Sequence, residues 1–566
     1  MYKVLNDVVT SMTAPGELFE ITSVEVRGQI LKTWANAPAS LRDVWLNSAE
    51  FGDRDYLIFQ DERISYAQAH DQVARIANWL VSQNIKQHDR VAIAMRNYPE
   101  WLLAYWAIVC IGAVPVGVNA WWVAEELKYG LSDSAPCLLI CDTERLALFA
   151  EIRDSFPQLP VIAVRENNLP DWAHSWEQLL SANPVMPEVE IDPDDDACIF
   201  YTSGTTGFPK GAQLTHRGCT NNIFSYMFMM LSQATAEAKY KGLEPADPLA
   251  ENASPPVAII ATPLFHVSAN NATAQTATLA GGKLVHMYKW DAGEALRLIE
   301  REKISNFSGV PIMAREIISH PELENYDTSS LSMMGGGGAA VQPDLIHKIS
   351  SGGHFSPAQG YGLTENCGMA SLGTGIFLDN KPNSAGLIAP VYEAKCIDEQ
   401  GKTLAPGELG EICLKGSQII KGYLNHPQAT AKAIVDGWFH TGDIGYLDED
   451  NFIYIVDRAK DMVLRGGENI YCSEVEVTLY KCQGIAECAV FGVEDERLGE
   501  EVGAAIYLQS GAELNADTVR KFCANKLAAF KIPRYLWIVD KPLPRNASGK
   551  FLKQTLKQTL HRETAN

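Results

Sequence analysis

The segment Tyr201–Ala212 reads YTSGTTGFPKGA and gathers Thr202, Ser203, Gly204, Thr205, Thr206, Gly207 and Lys210 into one loop behind the apolar stretch Ala197–Phe200. Glycines let backbone N–H groups turn towards a phosphate, hydroxyls donate further hydrogen bonds, and a lysine adds a point charge. The order Gly204-x-x-Gly207-x-x-Lys210-Gly211 differs from the P-loop pattern, which ends in Gly-Lys-Ser/Thr. Read alone, such a loop serves equally well as a plain connector. Gly335–Ala340 satisfies G-x-G-x-x-A formally, but it lacks the acidic residue about 20 positions on that would hold a ribose, which argues against a dinucleotide site. Further candidates are His266 in ATPLFH, Tyr361-Gly362-Leu363-Thr364-Glu365, Thr441-Gly442-Asp443, Arg458 with Lys460, Arg465-Gly466-Gly467-Glu468-Asn469, and Lys550 in PRNASGK. An unpaired buried glutamate is costly, so Glu365 calls for a metal or other cationic partner. A carboxylate such as Asp443 can accept from two hydroxyl donors at once, although Thr-Gly-Asp by itself is equally a turn.

The elements that must position these groups alternate between helix and strand. Helical spacing marks Tyr66–Asn84, and Arg90–Met95, Leu138–Cys141 and Val161–Val164 read as short apolar strands, the pattern of an α/β fold with largely parallel sheets. Trp101–Val118 is uncharged and near the ~18 residues of a membrane helix. Gly112 and Pro115 interrupt it, so it is expected to be a buried helix followed by a core strand. Gln233–Pro256 is expected to be a polar surface excursion. From Leu404 the texture becomes strand and turn, with a helical patch at Pro427–Val435. Beyond Asp461 a self-contained α+β pattern follows: strand Met462–Leu464, helix Ser473–Lys481, strands Ala486–Phe491 and Val502–Leu508, helix Ala516–Leu527.

Composition bounds the function. The 566 residues are 46% hydrophobic and 20% charged, an ordinary globular balance. Asp plus Glu outnumber Lys plus Arg by 69 to 47, a net charge of -22 that disfavours a broad nucleic-acid surface. The 14 basic and 14 acidic side chains of residues 461–566 cancel, so the net charge belongs to residues 1–460. Within the last segment, Arg520–Arg562 holds 11 basic residues against the single acid Asp540, either a solvated face or a lid that meets anionic substrates. Twelve scattered cysteines and no secretory leader in Met1–Thr10 fit a cytoplasmic protein with reduced thiols.

Taken together and in order, these segments resemble the acyl-adenylate-forming superfamily of acyl-CoA synthetases, peptide-synthetase adenylation domains and luciferases. The resemblance runs through nearly the whole chain. It implies a large N-terminal domain over 1–457 with stacked α/β sheets and a small β-rich subdomain. A hinge at 458–460 and a mobile α+β lid domain over 461–566 follow. It implies ATP, Mg2+ and coenzyme A as partners of a small carboxylic acid, with catalytic roles for Lys550, Thr364, Glu365 and His266. Glu365 becomes the magnesium ligand, Thr364 a donor to the α-phosphate, and Tyr361 a cover for the adenine. Gly337 and Gly362 become close backbone neighbours of the nucleotide. Asp443 and Arg458 are assigned to ribose and phosphate, Lys460 to the pivot, and Gly466 and Gly467 to the pantetheine passage. The expected chemistry is adenylation of an acid followed by thioester formation.

Rival readings are an enzyme of the same fold that does not use CoA, such as a β-lactone synthetase or carrier-protein loader, and a non-catalytic nucleotide-binding protein. The oligomeric state is left open, a homodimer included. For the acid, a medium-to-long-chain fatty or bulky apolar acid is expected on three grounds: open space at Gly362, small residues at Ser268–Ala272 and Gly335–Gly338, and adaptable apolar side chains at Phe224, Tyr226, Met227, Phe228, Met229 and Met230.

Overall fold

The computed structural model describes residues 1–202, 208–245, 254–337, 343–351, 355–459, 461–466, 468–524, 526–546, 549–561 and 564–565. The chain forms two compact units, Met1–Glu393 with Leu414–Phe439, and Ala394–Cys413 with His440–Asn566. The division by compactness thus groups most of the small strand-and-turn region with the C-terminal α+β body.

The larger unit is built on two sheets. In one, the strands run in the order Gly422–Tyr423, Lys210–Thr215, Asp196–Thr202, Val114–Gly117, Arg90–Ala94, Leu138–Asp142, Val161–Val164, Ala173–Ser175. The inner members pair in parallel and are buried along almost their whole length, as expected for apolar strands covered on both faces. The other sheet runs Leu387–Ile388, Ser371–Thr374, Ser356–Tyr361, Met333–Gly336, Asn306–Gly309, Val257–Ile260, Lys283–His286, Asp55–Phe59, Glu62–Ser65. Helix Pro99–Cys110 has Pro at its first turn and every residue but Glu100 buried. Gly112, at φ 71°, turns the chain into Val114–Gly117. This confirms the buried helix-then-strand reading, and among the described residues no helix is long and apolar enough to cross a membrane.

The helix that follows the Gly-rich loop runs from His216 to Tyr240, capped by the Thr215 side chain. Gln233 is therefore buried inside it, where its side chain donates to Leu372 O at 2.9 Å and accepts from Thr374 N at 2.9 Å. The expected surface excursion does not begin at Gln233; the polar residues there are helical, and the amide clamps a strand of the second sheet. Phe228 packs against Phe19 and Trp34, and Phe224 against Phe19, so these two and the buried Met229 are core. Tyr226, Met227 and Met230 are half-buried.

In the smaller unit the strands Glu393–Ile397, Gly410–Lys415, Trp438–Leu447 and Ile453–Arg458 belong to one sheet. A second orders Glu468–Ile470, Val463–Arg465, Gly499–Leu508 and Ile485–Asp495, with Tyr535–Val539 parallel to Gly499–Leu508. Helices Cys472–Tyr480 and Ala516–Ala524 cover it over a core of Val463, Val475, Leu479, Val490, Val502 and Leu536. The expected elements all occur, within a few residues of their predicted ends. The basic run after Arg520 is partly neutralised inside this unit. Lys531 meets Glu474, Arg534 meets Glu501, Arg545 meets Glu487, Lys553 meets Glu476 and Lys557 approaches Glu500.

Three histidines of the larger unit are held neutral by burial. His216, which accepts from Leu41 N, is pushed down to about 3, and His70 and His286 to about 4. Unfolding returns each to about 6.5, so below that pH the unfolded chain binds more protons and stability falls as pH drops towards the folded values. Urea unfolding should therefore show stability decreasing steeply from pH 7.5 to 5 with proton uptake; a flat profile would contradict the neutral burial of these rings.

Candidate active site

Asp196–Thr202 and Lys210–Thr215 pair antiparallel with Thr202 opposite Lys210, and the first of them also pairs in parallel with Val114–Gly117. Ser203, Gly204, Thr205, Thr206 and Gly207 lie outside the described residues. Lys210, at the other root of the loop, places its ammonium 5.3 Å from the centre of the Tyr423 ring. Tyr423 belongs to the two-residue strand that pairs with Ala212 and Gln213.

Three other motifs sit at the carboxyl ends of strands in the second sheet, where open α/β folds bind ligands. Ala261–His266 follows Val257–Ile260, Gly337 follows Met333–Gly336, and Gly362–Glu365 follows Ser356–Tyr361. Tyr361 is half-buried and pairs with Ser371. Thr364 and Glu365 open a short 3-10 turn whose entry is fixed by Asn366 accepting from Leu363 N at 2.7 Å. Behind the turn, Asn222 accepts from Met369 N at 2.8 Å and Asn271 donates to Cys367 O at 3.1 Å. The Glu365 carboxylate is half-buried, and a neutral hydroxyl already partners it, where the sequence called for a cation. Its Oε1 accepts from the Tyr423 hydroxyl at 2.8 Å, while Ile420 N donates to its backbone oxygen at 3.0 Å. Burial, reinforced by Glu365, raises the Tyr423 phenol well above its ordinary value, so it stays a donor. One carboxylate oxygen held in place by a hydroxyl leaves the other for a hard cation that keeps few protein ligands, so the residues present fit Mg2+. His266 stacks obliquely on Phe265, ring centres 4.8 Å apart, and leads into a π-helix at Ser268–Gln275. The stretch Ser268–Ala272 is thus a wall bearing the buried amides Asn270 and Asn271.

The glycines have structural reasons that spacing alone did not reveal. A Cβ on Gly362 would lie 1.7 Å from Gly368 O and 2.8 Å from Met369 Cα. The expectation of open space at Gly362 is therefore wrong: neighbouring backbone fills it. Gly335 and Gly336 are likewise closed, by Ala358 O at 1.9 Å and Gly309 O at 1.7 Å, and Gly337 by Gly360 O at 2.9 Å. Close strand packing, not ligand space, demands glycine at 335 and 336.

In the smaller unit, Asp443 and Arg458 face each other across paired strands, with Nε 3.1 Å from Oδ1. Arg458 thus pairs with Asp443, so the two residues assigned to ribose and phosphate stand together. Asp443 N is held by Thr441 Oγ1 at 3.1 Å and Gly442 adopts φ 69°, so Thr-Gly-Asp is a turn as well as a presentation of the carboxylate. Lys550 N donates to Asn546 Oδ1 at 2.9 Å, Gly549 sits at φ 77°, and Arg545 bridges to Phe551 across the same hairpin. Gly466, at φ 60°, turns the chain between Val463–Arg465 and Glu468–Ile470, and Arg465 is bound bidentately to Glu501. Lys460 and Gly467 lie outside the described residues.

Residues 44–424 match the model of the AMP-binding enzyme family, and residues 474–550 match that of the AMP-binding enzyme C-terminal domain. The chain belongs to the AMP-binding enzyme family. It is similar to a feruloyl-CoA synthase of Amycolatopsis sp, 34% identical over 490 residues that cover 87% of this chain and 92% of the relative. It also resembles a long-chain-fatty-acid–CoA ligase of Bacillus subtilis, 30% identical with 92% and 94% coverage. Among solved structures, ATP-bound MatB from Rhodopseudomonas palustris superposes with a TM-score of 0.79 at 29% identity, covering 92% of this chain and 98% of that one. The acyl-adenylate-forming fold expected from the motifs is thereby shown.

Sequence reading missed Tyr423 and Asn222, and took Asn271 only as part of the small-residue stretch Ser268–Ala272. Tyr423 gives only the signal of an aromatic after Lys421-Gly422, and the asparagines only that of amides among small and polar neighbours. Installing Trp at Gly362 should consequently not trim an acyl pocket in a well-folded enzyme. Gly362→Trp should lower Tm by several degrees or more, and Gly362→Ala should do so too, because the first carbon already collides with Gly368 O. An undiminished Tm in Gly362→Ala would show that the backbone yields freely there.

Proposed function

We propose that this AMP-forming acyl-CoA synthetase acts on a medium-to-long-chain fatty or bulky apolar carboxylic acid, with the site residues in the roles the motifs imply. The observation that carries the nucleotide part of the reading is Tyr423, whose ring centre lies 5.3 Å from the Lys210 ammonium and whose hydroxyl donates to Glu365 at 2.8 Å; it supports a lysine that binds phosphate and a carboxylate that binds magnesium acting at one site. In the first step a carboxylate oxygen of the acid attacks the α-phosphorus of ATP, an O–P bond forms, and pyrophosphate leaves with the bridging oxygen. Lys210 and the loop hydroxyls hold the phosphates, Thr364 donates to the α-phosphate, and Asp443 with Arg458 engages ribose. Mg2+, when bound to Glu365, neutralises phosphate charge and orients the leaving group. Lys550 offsets the negative charge that grows in the transition state.

In the second step the CoA sulfur attacks the acyl carbon, the C–S bond forms, AMP leaves, and the thiol proton passes to solvent. The segment at 458–460 serves as pivot between the two steps, residues 461–566 act as the mobile lid, and Gly466 and Gly467 admit the pantetheine arm. His266 stands at the carboxylate end of the acid. The half-buried Tyr226, Met227 and Met230 support the acid assignment, since thioethers adapt to irregular apolar ligands. A relative named for a long-chain fatty acid and another named for ferulate support the same size class. A cytoplasmic setting accords with the twelve free cysteines.

Two measurements test this. Lys550→Ala should slow acid-dependent ATP–pyrophosphate exchange by about 100-fold or more while converting supplied acyl-AMP and CoA to thioester at near the parent rate. Equal loss in both half-reactions would remove the lysine from adenylation. Across a panel of acids assayed for CoA-dependent AMP release, each added CH2 should favour turnover several-fold until the pocket is full, at roughly 0.8 kcal/mol per buried group. Acetate turned over as efficiently as decanoate or an aryl-propenoate would overturn the acid assignment, AMP release without CoA consumption would favour a different acceptor, and absence of exchange with every acid would favour nucleotide binding alone.

A further inference from the structure

Beside the Thr441–Asp443 turn, and outside every group assigned above, lie Glu411, Cys413 and His440. Glu411 and Cys413 stand two apart on the strand Gly410–Lys415, so they project from the same face, and His440 belongs to the neighbouring strand Trp438–Leu447. One ligand atom from each falls within 4.8 Å of the other two. His440 Nδ1 is 3.0 Å from Glu411 Oε2 and 3.8 Å from Cys413 Sγ. A tetrahedral zinc ion with bonds of about 2.3 Å to sulfur and 2.0–2.1 Å to nitrogen and oxygen would set those separations at roughly 3.3 and 3.6 Å, a few tenths from the distances found.

We propose that these three residues form a binding site for a borderline-soft divalent cation such as Zn2+. The mixed sulfur, nitrogen and oxygen set excludes Mg2+, which takes oxygen ligands, and so separates this site from the nucleotide's own cation. Orientation is built in: the second Glu411 oxygen, Oε1, accepts from Gly442 N at 3.1 Å, which aims Oε2 towards His440 as outer hydrogen bonds aim metal-binding carboxylates elsewhere. The thiol is buried, while His440 and Glu411 keep 28% and 29% of their side-chain surface exposed, which leaves an entry path and a fourth position for water. On binding, the Cys413 S–H bond breaks, its proton passes to solvent and the thiolate–metal bond forms. Because the Gly442 amide is shared, an ion here would stiffen the root of the turn that presents Asp443.

The test titrates the chelator-stripped full-length chain with Co2+ and then Zn2+. One Co2+ per chain should bind with a thiolate-to-cobalt charge-transfer absorption, which Zn2+ abolishes and millimolar Mg2+ leaves untouched. Cys413→Ser, which keeps the buried volume, should remove the absorption and weaken Zn2+ binding by about 10-fold or more, and His440→Ala should weaken it comparably, whereas Cys137→Ser at the exposed thiol should retain it. No charge-transfer band, a band that survives in Cys413→Ser, or one that is lost in Cys137→Ser would overturn the site. These readouts do not involve turnover, so they stand or fall independently of the acid and acceptor proposed above.

Discussion

The arrangement of the larger unit's chemistry depends on one hydroxyl. Tyr423 is carried on a two-residue strand paired to the Gly-rich hairpin, yet its phenol donates to Glu365 at the end of a strand in the other sheet. A hydrogen bond to a charged carboxylate contributes roughly 1.5–3 kcal/mol, more than the ~0.5–1 kcal/mol of a partly exposed cation–π contact such as that of Lys210. The Tyr423–Glu365 bond is therefore the stronger of the two and fixes the ring on which the lysine rests. Backbone bonds from Lys421 N to Gln213 O, Leu424 N to Gly211 O and Ile420 N to Glu365 O hold the same segment against both motifs.

Rigid support behind these groups comes from amides buried where apolar side chains would be the default. Asn222, Asn271 and Gln233 each satisfy backbone groups of the Ser356–Thr374 region from the long helix and the π-helix, and without them those strand-end carbonyls and N–H groups would be buried unpaired, at a cost of ~1–3 kcal/mol each. π-helical turns are rare and concentrate at functional sites. Here the turn follows His266 directly, so the wall beside that residue is shaped by backbone geometry as well as by side-chain size.

The smaller unit solves a different problem, the presentation of charge. Several members of its basic run, Lys531, Arg534, Arg545 and Lys553, are spent on carboxylates of the same unit, and Arg465, inside the Gly-rich strand motif, is committed to Glu501. Lys553 shows the balance: burial alone would lower it, but Glu476 and Asp457 raise it above its ordinary value, so it is a structural cation under the Ile453–Arg458 strand. A basic count in sequence thus overstates the charge available to a substrate. Lys550 is carried by a hairpin held by Asn546 and Arg545.

The sequence by itself determined the alternation of elements and the family, because these rest on local signals. Gly112 ends a helix, Ser65 and Gln68 start one, and the ordered string from Tyr201 to Lys550 carries enough residues to be distinctive. Only the tertiary structure decided what each glycine and charge is for. Gly362 looked like space because a missing side chain is all that sequence records, and the carbonyl of Gly368 that fills it comes from a turn folding back. Asp443 and Arg458 stand 15 residues apart in separate motifs, and only strand register sets one against the other. Glu365 called for a cation because its hydroxyl partner lies 58 residues away, on a strand too short to leave a periodic trace. Hydrogen bonds and close backbone approaches are relations between distant segments, and a linear pattern encodes neither.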